Sequence, residues 1–208
     1  MKLGLLADVH EHVEHLRRAL DCFRRCGVDR VVVLGDVAAF GSAVDGTRLE
    51  ATVRLLAEAG AVGVWGNHDF GFCCDPPESV VRQFDQSVFD FMGTLLPTME
   101  IADCLMTHIE PHLDARQLDD LWHFAGRLDT SERLARNFDA VPHRVMFMGH
   151  LHAWRIATQR RILDWQGDRP IRLVAADRYL VIVDAVFKGR FATYDTTTTE
   201  LAPCAVDK

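Results

Sequence analysis

Five short clusters put carboxylate, carboxamide and imidazole side chains close together along the chain: Asp8-Val9-His10, Gly35-Asp36, Gly66-Asn67-His68-Asp69, Thr107-His108 and Gly149-His150-Leu151-His152. Carboxylate and imidazole in combination suit Mn, Fe, Zn or Ni better than Mg or Ca. Two such ions about 3.5–4 Å apart need a ligand in common, and a carboxylate fills that position well. Asp36 ends an apolar run and is the natural shared ligand, so the clusters are expected to converge on a pair of metal ions around it. Asp8 and His10 are two residues apart, as are His150 and His152. If the preceding strands run that far, side-chain alternation puts each pair on one face.

The elements that must position these residues are legible from periodicity. Residues 2–7, 30–34 and 61–65 are apolar runs of strand length. Between them, Val13, Leu16, Leu20 and Phe23 mark an amphipathic helix stopped by Gly27, and Leu49, Val53 and Leu56 mark a second closed by Gly60. Strands alternating with helices predict an α/β fold with parallel strands, which bind ligands beyond the strands' C-terminal ends. Asp8, Asp36 and Asn67 each stand at such an end.

Further on, Val81, Phe84, Val88 and Phe91 predict one helix. Two short strands, 98–101 and 104–107, follow with Ala102-Asp103 as their turn. The polar, helix-prone stretch from Asp114 to Asn137 carries no evident site, and 144–148 is a buried strand leading to His150 and His152. The last third is β-rich in an antiparallel pattern, which suggests a second sheet packed on the first. The expected architecture is a two-sheet β-sandwich flanked by helices, one domain over residues 1–208, with a poorly ordered tail at 196–208.

Bulk properties narrow the function. A net charge of −7 argues against binding a nucleic-acid duplex or an anionic membrane, both of which call for a basic face. It leaves room for a small phosphate ester, because bound cations reverse the local sign. No apolar run reaches the ~20 residues of a membrane span, and the opening residues do not read as a signal peptide. A cytoplasmic protein is expected. Cys22, Cys26, Cys73, Cys74, Cys104 and Cys204 form no C-x-x-C pair and are expected to be free thiols, with Cys73 and Cys74 structural in their loop. Oligomeric state has no signal in the sequence.

Taken in order, the five clusters resemble the motif blocks of the calcineurin-like metallophosphoesterases, and they span residues 8–152. The resemblance implies a phosphoric ester hydrolase with two divalent transition-metal ions, manganese first, with iron, zinc or nickel as alternatives. Asp8, His10 and His152 would hold one ion, Asn67, His108 and His150 the other, and Asp36 would bridge them. A hydroxide between the ions would attack phosphorus, His68 would protonate the leaving oxygen, and Asp69 would orient His68.

The second block reads Gly35-Asp36-Val37-Ala38-Ala39-Phe40-Gly41, where the family's protein phosphatases carry G-D-x-x-D-R-G. Ala39 and Phe40 thus replace an Asp and an Arg, which favours the phosphodiesterase-like bacterial and archaeal branch. Ile109 follows His108 where the family usually has Gly, which makes His112 a candidate extra contact. The Asn-Pro-Gly-Ser block often found after the last motif is absent. The expected activity is hydrolysis of small phosphodiesters or phosphomonoesters, and the alternatives weighed against it are a metal-binding or scaffolding protein of the same fold with little turnover, and a protein phosphatase. His12, His15, His123 and His143 read as surface or capping residues, and Trp65 as core.

Overall fold

The computed structural model describes residues 1–39, 47–124 and 131–206. Six strands form one mixed sheet in the order β3-β2-β1-β10-β11-β8. These are β1 (Lys2–Leu6), β2 (Arg30–Leu34), β3 (Val62–Val64), β8 (Ile171–Arg172), β10 (Arg190–Asp195) and β11 (Glu200–Ala205). Five strands form the second sheet in the order β4-β5-β6-β9-β7: β4 (Thr98–Ile101), β5 (Cys104–Thr107), β6 (Val145–Met148), β7 (Arg155–Thr158) and β9 (Tyr179–Ile182). Strands β1, β2 and β3 run parallel, as do β5, β6 and β9.

Side-chain alternation explains the layers. Leu3, Leu5, Val32 and Leu34 from the first sheet meet Val145, Phe147, Tyr179 and Val181 from the second in one apolar cluster between the sheets. The opposite face of the first sheet turns Leu6, Val31 and Val33 toward α1 (Val13–Cys26), α2 (Thr47–Glu58) and α5 (Gln86–Met92). The opposite face of the second turns Leu105, Met146, Met148, Leu180 and Ile182 toward Leu134 and Phe138 of α7 (Ser131–Ala140). The result is the expected helix–sheet–sheet–helix sandwich. Gly4 is required where α1 crosses β1, since a Cβ there would stand 2.6 Å from the Phe23 ring.

Several local expectations hold in detail. Gly27 ends α1 in the left-handed conformation, φ 64°. His12 caps that helix by accepting the His15 N–H at 3.4 Å. Ala102 and Asp103 have φ of 50° and 60°, the two-residue turn that matches the twist of a hairpin. All six cysteines are free thiols, and Cys73 and Cys74 pack against the helix-side core.

Other expectations fail. The predicted helix through Val81–Phe91 is two helices, α4 (Glu78–Val81) and α5, because Asp85 caps the second by accepting the Ser87 N–H at 2.9 Å. The last third does not form a sheet of its own. Strands β8, β10 and β11 complete the first sheet, β7 and β9 complete the second, and β9 lies parallel to β6.

The tail is also corrected, because β11 at Glu200–Ala205 is paired on both sides, with β10 and with β8, and Leu201 is fully buried. Its ordering comes from two ladders of backbone hydrogen bonds, which composition does not reveal. Among the described residues between β5 and α7 there is one short helix, α6 (Leu118–Leu121), and a second short helix, α3 (Phe70–Cys73), follows β3. No helix among the described residues is long and apolar enough to cross a membrane.

Candidate metal centre

The parallel strands deliver the clustered residues to one place. Asp8 and His10 follow β1, Asp36 follows β2, Asn67 and His68 follow β3, His108 follows β5, and His150 and His152 follow β6. The two sheets meet at this end. Asp8 accepts the backbone N–H of His150 through both carboxylate oxygens at 3.1 Å, and the His10 N–H donates to the Asp36 carbonyl at 2.9 Å.

The way Asp8 and His10 reach the site differs from expectation. β1 ends at Leu6, and the chain then kinks through left-handed residues at Asp8, φ 52°, and His10, φ 44°. Asp36, His150 and His152 share that conformation, with φ of 54°, 66° and 47°. L-residues other than Gly rarely adopt it outside Asn and Asp, and its concentration here marks strain held at a functional site.

Two groups of metal-ligating atoms result. Asp8, His10, Asp36 and His152 present one set, and Asp36, His108 and His150 present another; within each set the atoms lie within 4.8 Å of one another. Asp36 belongs to both. Its Oδ2 stands 3.4 Å from His108 Nε2 and 3.7 Å from His10 Nε2. The Asn67 Oδ1 joins the second set, 3.0 Å from His108 Nε2 and 3.0 Å from His150 Nδ1.

The outward-facing ring nitrogens have fixed partners. His108 Nδ1 lies 2.7 Å from the Leu34 carbonyl, His10 Nδ1 3.2 Å from the Ala38 carbonyl, and His150 Nε2 3.3 Å from the His123 carbonyl. Each outward N–H can donate there, which turns the inward nitrogen toward the carboxylates as the atom free to ligate a metal. Metal-binding histidines are held in this manner. The two sets are therefore candidate ligand clusters for divalent metal ions.

Electrostatics suit the same reading. Burial pushes His10 down from its ordinary value, against the pull of Asp36 and Asp8. Burial and the neighbouring His108 bring His150 down to about 4. His108 goes the other way: burial opposes its charge, but the Asp36 carboxylate more than offsets this and raises it to about 9. Asp36 in turn is held well below the usual carboxylate range, its burial outweighed by His108. Two buried carboxylates thus concentrate negative charge where cations would sit.

His68 lies beside the centre. Its ring makes an edge contact with His10 at 4.9 Å, and its backbone N–H donates to Asp36 Oδ1 at 3.0 Å. Asp69, expected to orient His68, is seen here turned to the backbone of the neighbouring loops. Its carboxylate accepts the N–H groups of Val37, Ala38 and Gly66 at 3.2, 2.9 and 2.9 Å. It therefore braces the loop carrying Asp36 against the turn carrying Asn67. Burial and the charge of Asp36 push it up to about 7 despite those three donors.

Ala39 donates its N–H to Glu11 at 2.9 Å, while Phe40 lies outside the described residues. His112 is in neither ligand group, and its Nδ1 lies 3.0 Å from Asn137 Oδ1. Trp65 is core, and its indole N–H donates to the Ala115 carbonyl at 2.9 Å. His15 Nδ1 is held 3.1 Å from the Val186 carbonyl, and His143 pairs with Glu100 at 3.0 Å.

Sequence reasoning missed the stretch Trp122-His123-Phe124, which closes one side of the centre. Trp122 lies 5.2 Å from the His68 ring, and Phe124 6.3 Å from the His150 ring. The signal available was an aromatic pair in an otherwise polar run; a carbonyl acting on His150 leaves no trace in composition. Lys188 was missed as well. It donates to the carbonyl of His152 and pairs with Asp184 at 3.5 Å.

Residues 1–166 match the Calcineurin-like phosphoesterase superfamily domain. The chain belongs to this family. Among solved structures, a metallophosphoesterase from Sphaerobacter thermophilus is similar over 100% of this chain and 88% of that chain, with a TM-score of 0.78 and 19% identity. A novel archaeal phosphodiesterase is similar over 99% of this chain and 100% of that one, with a TM-score of 0.55 and 16% identity. In sequence, 69 residues are 26% identical to the uncharacterized protein MJ0912 of Methanocaldococcus jannaschii, a match spanning 33% of this chain and 26% of that protein. The metallophosphoesterase fold thus carries residues able to hold divalent metal ions.

Proposed function

We propose that this chain is a dinuclear metal-dependent phosphoesterase that hydrolyses small phosphodiesters. The observation that carries the reading is the double membership of Asp36 in both groups of ligating atoms. Asp8, His10 and His152 complete the first position, and Asn67, His108 and His150 the second. When bound, a pair of manganese or similar ions supplies Lewis-acid stabilisation of phosphoryl charge and a water of lowered pKa.

The protein's own side chains account for the rest. Carbonyls of Leu34, Ala38 and His123 hold the imidazoles of His108, His10 and His150 in place. His68 stands outside the ligand groups yet touches His10, where it can hold a proton for the departing oxygen. Ala39 stands where the family's protein phosphatases have an Asp, which favours the diesterase reading over protein dephosphorylation. A cytoplasmic setting belongs to the same proposal, since free thiols suit a reducing compartment. The acidic net charge of −7 supports a small substrate over a duplex or a membrane surface.

The test offers bis-p-nitrophenyl phosphate and p-nitrophenyl phosphate to the purified, manganese-loaded protein, beside the Asp36→Asn variant. Chelator-sensitive release with preference for the diester, abolished in the variant, is the expected result. No release from either compound, or undiminished release by the variant, defeats the proposal.

A further inference from the structure

Aromatic side chains are normally buried, and among the described residues most Trp, Tyr and Phe side chains are. Among the described residues the exposed Trp, Tyr and Phe rings are Trp122, 48% exposed, and Phe124, 67% exposed. Both stand at the candidate metal centre, on the same three-residue stretch. Between them, the His123 carbonyl is bound to His150 Nε2 at 3.3 Å, so the stretch is pinned to the centre it flanks.

The two rings take different sides. Trp122 is tilted against His68 at 5.2 Å, on the flank where a leaving group would depart. Phe124 borders a cavity of about 620 Å³ beyond His152, which Arg155, Gln166 and Lys188 also line. An indole exposed beside a polar, anionic centre has no reason in folding to be there. It presents a flat apolar face to whatever organic group accompanies the phosphate, and stacking on such a face is how bases are held without sequence readout.

We propose that Trp122 is the stacking platform for a planar ring on the leaving-group side, so that the substrates are nucleoside-type phosphoesters. The inference rests on the phosphoesterase reading above. Trp122 is a specificity determinant: it touches the organic part of the substrate, leaving the reacting atoms to the metal ligands and His68. Its exposure means that truncation leaves the core intact.

The test measures binding to manganese-loaded protein by calorimetry. The ligands are the methylene-phosphonate analogues of AMP and of ribose 5-phosphate, whose C–P linkage is inert. They share the anion and sugar and differ only in the base. Wild type is expected to prefer the AMP analogue by on the order of tenfold to a hundredfold. Trp122→Ala should bring the ratio near one while leaving the ribose compound's affinity unchanged, and Trp122→Phe should keep most of the preference.

Equal affinities in wild type, or an unchanged ratio in Trp122→Ala, overturn the proposal. So does loss of the preference in Phe124→Ala but not in Trp122→Ala, which places the ring in the cavity beyond His152. Hydrolysis of bis-p-nitrophenyl phosphate, measured on the same preparations, reports separately on the phosphoesterase reading. Turnover without base preference defeats this inference alone, and base preference without turnover defeats that reading alone.

Discussion

Asp8 stands at the end of one sheet and accepts, through both carboxylate oxygens at 3.1 Å, the backbone N–H of His150 at the end of the other. One buried side chain thus presents a ligand atom and also ties the two halves of the sandwich at the point where the ligand groups meet. Asp8→Ala is expected to lose one equivalent of bound metal and to cost about 1.5–3 kcal/mol in the metal-free state, the range for a hydrogen bond to a charged group. Metal analysis and urea denaturation in chelator measure the two effects separately.

Asp69 contributes through the backbone. Removing its carboxylate strands three buried N–H groups, those of Val37, Ala38 and Gly66, and each unsatisfied donor costs about 1–3 kcal/mol. Asp69→Ala is therefore expected to lower stability by more than about 3 kcal/mol and to loosen Asp36. Metal affinity should fall although Asp69 lies in neither ligand group. If titration with manganese shows unchanged affinity, the bracing role is wrong.

How far the sequence could be read follows from which kinds of interaction it encodes. That Asp36, Asn67 and His108 come together was legible because each was placed at the end of a strand. The β1, α1 and β2 elements were recoverable because burial on one face imposes a period. The hold of Asp69 on three amides was not legible, since a carboxylate beside a histidine looks the same in sequence whatever its carboxylate binds. Strands β8 and β11 were misread because their pairing partners are distant in the chain, and only the ladders settle which sheet they join. Trp122 could not be placed from the sequence for the complementary reason: its neighbour His68 is 54 positions away, and nothing local marks its exposure.

Gly66 is needed for space. A Cβ there would stand 2.1 Å from Asp36 Oδ1 and 2.6 Å from Asp36 N. Gly66→Ala should displace the carboxylate common to both ligand groups and abolish metal binding there. Gly71→Ala is the control, because nothing lies within 4 Å of its added Cβ. Parallel metal titrations of the two variants make the comparison.

His68→Ala separates chemistry from metal binding. His68 is in neither ligand group, so manganese stoichiometry should be unchanged. The rate should fall ~10²–10⁴-fold on a diester with an alkoxide leaving group, the usual contribution of a general acid. With p-nitrophenolate, which leaves readily without a proton, the loss should be much smaller. Metal loss, or equal rate losses for both leaving groups, contradicts the assignment.

Behind His108, two residues along the chain, Glu110 anchors α7. Arg133 Nε donates to both its oxygens at 2.8 and 2.9 Å, and Asn137 Nδ2 donates at 2.6 Å. Burial opposes the charge of Glu110, but Arg133 and Asn137 outweigh it, so its pKa lies below the ordinary value of 4.5. A carboxylate depressed in the folded state adds stability above its unfolded pKa and loses it as pH falls through the folded one. Glu110→Gln should therefore flatten the acid limb of the stability curve below about pH 4.5. Arg133→Ala should be worse at neutral pH, by about 3–5 kcal/mol, because it leaves a buried charge without its partner. Urea midpoints of wild type and both variants at pH 7 and across pH 3–5 test this. An Arg133→Ala variant as stable as wild type at pH 7 would show that α7 is held by Leu134 and Phe138 alone.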